Sequence, residues 1–225
     1  MDVRAKHRTA EAQGQSSLAG RAYALIEEAI VTLRLNPGTP ATEAELCNLI
    51  GIGRTPVREA IQKLAADGLI QVYPRRGLVI PPISATELHA VLEVREPLER
   101  IIAGHAALRG IESERNELKM LASSMKRAAH AHEPARYMEH DKAIDTLMGQ
   151  MARADHASKA LMPLQVISRR YWYLHWREKD LLAAASCHVK LAEAVIDRSA
   201  GLARSASDAL IGHLRRRLSG HFSAN

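Results

Sequence analysis

The stretch Gly53-Arg54-Thr55-Pro56-Val57-Arg58-Glu59-Ala60 decides how the N-terminal part of this chain folds. Thr55 is a favourable N-cap residue, and Pro56 suits the first helical position, where the N–H that a proline lacks would have no partner. Apolar side chains then recur at helical spacing, and they are Val57, Ala60, Ile61 and Leu64. The stretch predicts a helix with one buried face.

The other face of this predicted helix is cationic at its start. Arg54 precedes the cap, and Arg58 and Gln62 follow one turn apart. A helix N-terminus already favours anions, so two guanidinium groups beside it suit phosphates and base edges. The alternative is a pair of solvated charges at a helix start, and the flanking sequence favours the first interpretation.

Two helices are predicted upstream of the stretch. The first carries an apolar stripe and ends before Pro37-Gly38, and the second opens with the capping box Thr42-Glu43-Ala44-Glu45. Downstream, Gly68 ends the third helix, and residues 69–73 and 78–80 are rich enough in branched and aromatic side chains to pair as strands. Three helices and a basic hairpin describe a winged helix-turn-helix.

Residues 19–82 resemble the DNA-binding domain of the GntR family of bacterial transcription regulators. The resemblance is carried by Leu35-Asn36-Pro37-Gly38, Glu45, Leu46, the run Arg54 to Ala60, Leu64, Gly68-Leu69-Ile70 and Arg76-Gly77. It implies contacts with double-stranded operator DNA, and the residues expected to make them are Arg34, Arg54, Thr55, Arg58, Gln62, Arg75, Arg76 and Gly77. Gly53 departs from the family pattern, which usually has a hydroxyl there for one phosphate contact.

Charge composition alone does not identify the partner. The chain of 225 residues has a net charge of +6, yet residues 1–80 contain ten Lys and Arg against eight Asp and Glu. The placement of the arginines is therefore more informative than their number. The two cysteines give no disulfide or zinc pattern, which fits a reducing cytoplasm, and no apolar run is long enough for a membrane span. Residues 1–18 are expected to form a mobile tail.

A second domain is predicted over residues 84–225. Pro81-Pro82 interrupts the strand pattern, and Ser84-Ala85-Thr86-Glu87 is a second capping box. From there the chain has only helical periodicity, over 85–109, 113–130, 134–153, 155–176, 180–199 and 202–219. The connections are short, so the fold class is mainly α, with an all-helical antiparallel bundle after the winged helix-turn-helix.

Four polar residues interrupt or border the apolar faces of these helices. Asp141 and Asp145 lie one turn apart on the third bundle helix, while His188 and His213 lie on the fifth and sixth. Two carboxylates and two imidazoles from three helices could surround one divalent metal. Histidines on apolar faces are also common as ordinary core residues, so the pattern leaves both interpretations open.

Residues 84–219 resemble the FCD effector domain of the FadR subfamily of GntR regulators. That pattern has an Asp and a His one turn apart, then a His on each of the last two helices, and it is matched here by Asp141, His188 and His213. Asp145 stands where the family usually has His. The resemblance implies a divalent metal (Zn, Ni, Mn or Fe), although the substitution at Asp145 leaves a metal-free polar pocket as the alternative.

The same resemblance implies an effector site for a small carboxylic acid. Arg95 could bind the carboxylate of the acid through two parallel hydrogen bonds, or it could instead form an intrahelical ion pair with Glu99. Arg169 is the second candidate effector contact. It precedes the aromatic cluster Tyr171-Trp172-Tyr173 and Trp176. This cluster is expected to serve in core or dimer packing rather than as a pocket wall.

The sequence thus predicts a homodimeric transcription regulator, of the repressor type, whose operator binding responds to a small organic acid. It is not expected to be an enzyme. Two alternatives stay open, a metal-dependent enzyme with an attached DNA-binding module and a constitutive DNA-binding protein with a structural bundle.

Overall fold

The computed structural model describes residues 17–73, 77–176 and 178–222. They form two compact units, one ending at Ile83 and one beginning at Ser84. The fold is mainly α, with a small antiparallel sheet in the first unit, as the sequence predicts. The predicted tail over residues 1–18 falls mostly outside the described residues. Its last two members are ordered into a helix start, since Ser17 is the N-cap of the helix that begins at Leu18.

The first unit contains three helices and three short strands. They are α1 (Leu18–Val31), β1 (Pro40–Ala41), α2 (Glu43–Ile50), α3 (Arg54–Ala66), β2 (Gln71–Tyr73) and β3 (Gly77–Val79). The sheet has the order β1-β3-β2, with both pairings antiparallel. Its core joins the apolar stripes of all three helices to the sheet, through Ile26, Ile30, Leu46, Val57, Leu64, Leu78 and Ile80.

The predicted hairpin forms, with shorter strands than the sequence indicates. Leu69 and Ile70 are buried but belong to the turn after α3, where their N–H groups bond to the carbonyl of Leu64. The strand β1 is missed by the sequence pattern because two residues carry no alternation. The predicted turn over residues 74–76 lies outside the described part of the chain.

Helix caps explain where several of the helices begin. Thr42 and Glu45 form the predicted reciprocal capping box, and Ser84 Oγ accepts from the N–H of Glu87 at 3.0 Å. The prediction that Thr55 caps α3 is wrong. The helix starts two residues earlier than predicted, at Arg54 rather than Pro56, and its N-cap is Gly53, which has no side chain to offer.

The second unit is a bundle of six helices among the residues described. They are α4 (Ala85–Arg109), α5 (Glu112–His130), α6 (Pro134–Ala152), α7 (Asp155–His175), α8 (Glu178–Ile196) and α9 (Ala200–Phe222). The helix α4 is central, because it packs against α6, α7, α8 and α9. Side chains from several helices therefore converge beside it, which is the usual place for a ligand site in a bundle.

A buried arginine ties the ends of the bundle helices together. Arg115 on α5 is 3% exposed and donates to the carbonyls of Ala107 at 2.9 Å and Gly110 at 2.8 Å. It also donates to the carbonyl of Val195 near the end of α8. The guanidinium therefore donates to carbonyls at the C-terminal ends of two helices, where intrahelical donors run out, and stabilises both ends at once. In the described part of the chain, no helix is both long and apolar enough to cross a membrane.

Candidate functional site

The outer face of α3 gathers four of the residues predicted to contact DNA. Arg54, Thr55, Arg58 and Gln62 are all exposed on this helix, while its opposite face is buried in the first unit. Because Gly53 supplies no capping oxygen, the first N–H groups of α3 have no side-chain partner at the cap. The helix start thus combines open N–H donors with two guanidinium groups, which is a suitable surface for a phosphate.

Arg58 has a partner that the sequence pattern does not reveal. Its Nε and Nη2 donate to the two carboxylate oxygens of Glu43 at 3.1 and 3.0 Å. These hydrogen bonds, and then the charge of Glu43, raise the pKa of Arg58 above its ordinary value. The pair holds a charged, forked donor at the surface between α2 and α3.

The remaining predicted DNA contacts lie outside α3. Arg34 follows α1, is exposed, and lies 3.4 Å from Glu28. Gly77 begins β3 with a φ of +89°, and a Cβ atom there would come within 2.7 Å of the carbonyl oxygen of Ala41. A glycine is therefore required both for the turn and for the close approach of β1. Arg75 and Arg76 lie outside the described residues.

A polar cavity of about 420 Å³ lies inside the second unit. Five helices line it, and its polar members are Arg95, Tyr137, Asp141, Asp145, Gln165, Ser168, Arg169 and His188. Arg95, Asp141, Arg169 and His188 are each 8% exposed or less. Charged side chains at such depth need partners, since burial of an unpaired charge is strongly unfavourable.

Arg169 on α7 bridges the two aspartates of α6. Its Nη1 donates to Asp145 Oδ2 at 2.8 Å and lies 3.6 Å from Asp141 Oδ2. The other oxygen of Asp141 lies 3.1 Å from His188 Nε2. The cavity therefore contains a continuous chain of polar contacts from Asp145 through Arg169 and Asp141 to His188.

Arg95 belongs to a second pair in the same cavity. Its Nη2 donates to Glu99 Oε1 at 2.6 Å, and Gln165 Nε2 donates to the same oxygen at 3.1 Å. The intrahelical ion pair, one of the two alternatives that the sequence left open, is thus formed. Arg95 lines the cavity as well, so the pair leaves its guanidinium at the wall of the site.

Burial changes the protonation of the groups in the cavity. It lowers the pKa of His188, despite the opposing charge of Asp141, whose oxygen lies 3.1 Å from His188 Nε2. Burial, and then the charges of Asp141 and Glu99, raise the pKa of Asp145 well above its ordinary value of 3.8 although Arg169 opposes the shift. The carboxylates of this site repel one another, and the arginines hold them together.

The four predicted metal ligands do not converge on a common point. Among the residues that the structure describes, no group of three or more His, Cys, Asp or Glu side chains is arranged to hold a metal ion. Asp145 is paired with Arg169, His188 directs Nε2 at Asp141, and His213 does not line the cavity. His188 Nδ1 and His213 Nε2 are buried without a hydrogen-bond partner. The donor types suit a metal, but a guanidinium already neutralises the carboxylates, so the residues as arranged do not fit one.

A second, apolar cavity of about 390 Å³ adjoins the polar one. Ser168, Trp172 and Leu214 line both cavities, while the rest of the apolar wall includes Leu88 and Leu92. Trp172 also stacks on Tyr137 with ring centroids 5.2 Å apart. The expectation that the aromatic cluster serves in packing rather than as a pocket wall is therefore too narrow for Tyr171 and Trp172, which both line the apolar cavity.

Sequence reasoning missed several residues of this site. Gln165 lies four residues before Arg169, and that spacing on one helix face is a signal that could have found it. Tyr137 and Asp141 are related in the same way on α6. Glu43 could not be found in this manner, because its partner lies fifteen residues further along the chain on another helix.

Comparison with known proteins identifies both units. Residues 18–80 match the family described as bacterial regulatory proteins, gntR family, and residues 90–213 match the FCD domain. The chain belongs to the GntR family of transcriptional regulators and carries an FCD domain. The predicted resemblance is confirmed in both units.

Relatives of this GntR regulator include proteins named as repressors. The HTH-type transcriptional repressor RspR of Escherichia coli is 30% identical over 152 residues, which cover 68% of this chain and 67% of RspR. An uncharacterized HTH-type transcriptional regulator of Agrobacterium vitis is 38% identical over 95 residues, and the match spans 56% of that relative. Among solved structures, E. coli McbR/YncC superposes with a TM-score of 0.78 at 16% sequence identity. The match covers 92% of this chain and 99% of the McbR/YncC chain. The last likeness shows that the fold is shared.

Proposed function

We propose that this GntR regulator is a homodimer that binds a specific operator through α3 and releases or engages it when a small organic acid enters the FCD domain. The observation that carries the proposal is the polar cavity, in which two buried arginines, Arg95 and Arg169, line one wall. Guanidinium groups bind carboxylates in a forked geometry, and they do so more strongly away from water.

Operator binding is assigned to named side chains. Arg58 is placed to read a base edge from the first turns of α3, and Arg34 and Arg54 are placed to contact phosphates, which position the protein without specifying sequence. Thr55, Gln62 and Gly77 complete the proposed surface, together with Arg75 and Arg76 at the wing. One such helix reads too few base pairs to select a site in a genome, so two copies of the chain are required.

The effector proposal includes a shape. The polar cavity suits the carboxylate of a small acid, and the adjoining apolar cavity suits an acid whose far end is a short hydrocarbon or ring. Binding shifts the regulator between arrangements only by its differential affinity for them, typically about 1–3 kcal/mol. A buried carboxylate–arginine contact is of this scale.

Repression, cytoplasmic location and absence of catalysis form part of the same proposal. The relative RspR is named a repressor, and an operator-binding protein acts where the DNA is. No acid or base pair separate from the arginine-bound carboxylates is found among the described lining residues. The proposal is independent of the Zn, Ni, Mn or Fe predicted from sequence at Asp141, Asp145, His188 and His213.

A thermal-shift screen of mono- and dicarboxylic acids on the full chain tests the effector proposal. At least one acid should raise the melting temperature and change operator affinity measured by fluorescence anisotropy. Arg169→Gln should abolish both responses, whereas Arg127→Gln, on the exposed face of α5, should retain them. If no acid in the screen changes either quantity, the bundle is a structural domain and the effector proposal is wrong.

A further inference from the structure

Arg169 lies between two of the side chains that the sequence predicted as metal ligands, Asp141 and Asp145. One nitrogen of this side chain lies 2.8 Å from Asp145 and 3.6 Å from Asp141, and the residue is 6% exposed. A guanidinium so placed is a fixed positive charge between two carboxylates. A divalent cation entering the same space would be repelled by it and would have to break its contacts.

The partner of Arg169 is the residue that departs from the family pattern. A histidine at position 145 would present a neutral ring with a lone pair for a metal, and it would leave Arg169 only the more distant Asp141 to pair with. Asp145 reverses both properties, because it offers charge to a guanidinium and pairs with it. The two features are thus linked, because the aspartate that replaces the family's histidine is the partner of Arg169.

We propose that Arg169 is the resident cation of this site, taking the place of the divalent metal beside Asp141 and Asp145, so that the site receives a carboxylate without any metal. A guanidinium has five N–H donors, so one group can bridge two aspartates and also bind an acid. This inference rests on the proposed function, since it names the group that receives the effector.

The histidines of the site agree with this assignment. His188 Nε2 faces Asp141 at 3.1 Å, so the imidazole donates a hydrogen bond to the carboxylate through the atom that would otherwise carry a ligating lone pair. His213 Nε2 is buried without a partner among the described residues. His188 could turn toward a metal beside Asp141 only if it gave up its contact with that aspartate.

The test measures metal binding by the full chain, with no effector present. Protein purified without chelators should contain substoichiometric metal by elemental analysis, and Mn²⁺, Ni²⁺ or Zn²⁺ should leave its melting temperature unchanged. Asp145→His combined with Arg169→Gln restores the family pattern and removes the cation. This double variant should bind one metal per chain and should melt at a higher temperature when that metal is present.

A matched control separates the site from the added histidine. Thr146→His with Arg136→Gln likewise introduces one histidine and removes one arginine, but at exposed positions of α6, and it should gain no metal. The single variant Arg169→Gln keeps all four candidate ligands. It is used for the same metal-binding measurement if the double variant fails to fold. Either variant, helical by circular dichroism yet still free of metal, would overturn the inference.

Metal binding by the wild-type chain also tests the inference without any variant. One tightly bound metal per wild-type chain, with a lower melting temperature after chelation, would also overturn the inference while leaving operator binding and effector response as proposed. A wild-type chain that binds neither metal nor any carboxylate would instead overturn the effector proposal, so the two failures are distinguishable.

Discussion

Replacement of Arg58 and Glu43, singly and together, tests how α3 reads DNA. In the DNA-free structure the Arg58 side chain is 65% exposed and its partner Glu43 is 30% exposed, with two hydrogen bonds between them. Exposed ion pairs are weak, whereas a forked contact with a guanine edge is substantially stronger. Arg58 should therefore leave Glu43 for a base when the operator is bound.

The expected size of the effect follows from that comparison. Arg58→Ala should reduce the preference for operator over random DNA by about 5-fold to 150-fold per half-site, the range for loss of one good base contact. Glu43→Gln should strengthen binding to both DNAs by a few-fold, because it removes a negative charge near phosphates and releases Arg58.

Fluorescence anisotropy of a labelled operator and a scrambled duplex over a range of salt concentrations measures both effects. In the double variant, the gain from Glu43→Gln should be smaller than in the wild-type background, since there is no longer an arginine to release. Equal losses on operator and random DNA for Arg58→Ala would show that Arg58 contacts phosphate only, and the reading assignment would be refuted.

Three further predictions concern stability. Gly77→Ala should destabilise the first unit by about 1–3 kcal/mol in urea unfolding, because the new Cβ meets the Ala41 carbonyl at a φ of +89°; an unchanged midpoint would contradict this. Arg115→Met should destabilise the bundle by about 3–5 kcal/mol, because three helix-end carbonyls lose a buried donor, whereas Arg127→Met on the exposed face should cost under about 0.5 kcal/mol; similar losses in both would refute the role of Arg115. Burial, then the charges of two nearby arginines, lower the pKa of His105 from 6.5. The unfolded chain then binds the proton more readily, so the free energy of unfolding should decrease as pH falls below about 6.5, and His105→Gln should reduce that decrease.

Periodicity and caps were sufficient to predict most of the fold from the sequence. The capping box at Thr42 and Glu45, the cap at Ser84 and the six helices of the bundle follow from local patterns that repeat within a few residues. The boundary at α3 was misjudged because Thr55 is the better N-cap by chemistry, yet the extended backbone at Gly53 starts the helix earlier. At this boundary the backbone geometry of the turn after α2 decides where the helix begins, rather than the N-cap preference of Thr55.

The arrangement of the candidate site could be predicted only in part. Placing Asp141 and Asp145 on one helix face, and Arg95 beside Glu99, needs only helical spacing. The contact between Arg169 and Asp145 joins residues 24 apart on different helices, and helical spacing carries no information about it. The family resemblance predicted metal ligands at this site. It could not predict that Asp145 would instead pair with Arg169.

Selection from random double-stranded DNA with the full chain is the measurement that tests the central claim most directly. The account predicts enrichment of an inverted repeat with two equal half-sites, spaced by about one turn of DNA or a multiple of it. It also predicts that Arg58→Ala loses the preference for one base pair in each half-site while the spacing is retained. Failure to enrich any sequence, or enrichment of a single half-site that Arg58→Ala leaves unchanged, would contradict the account.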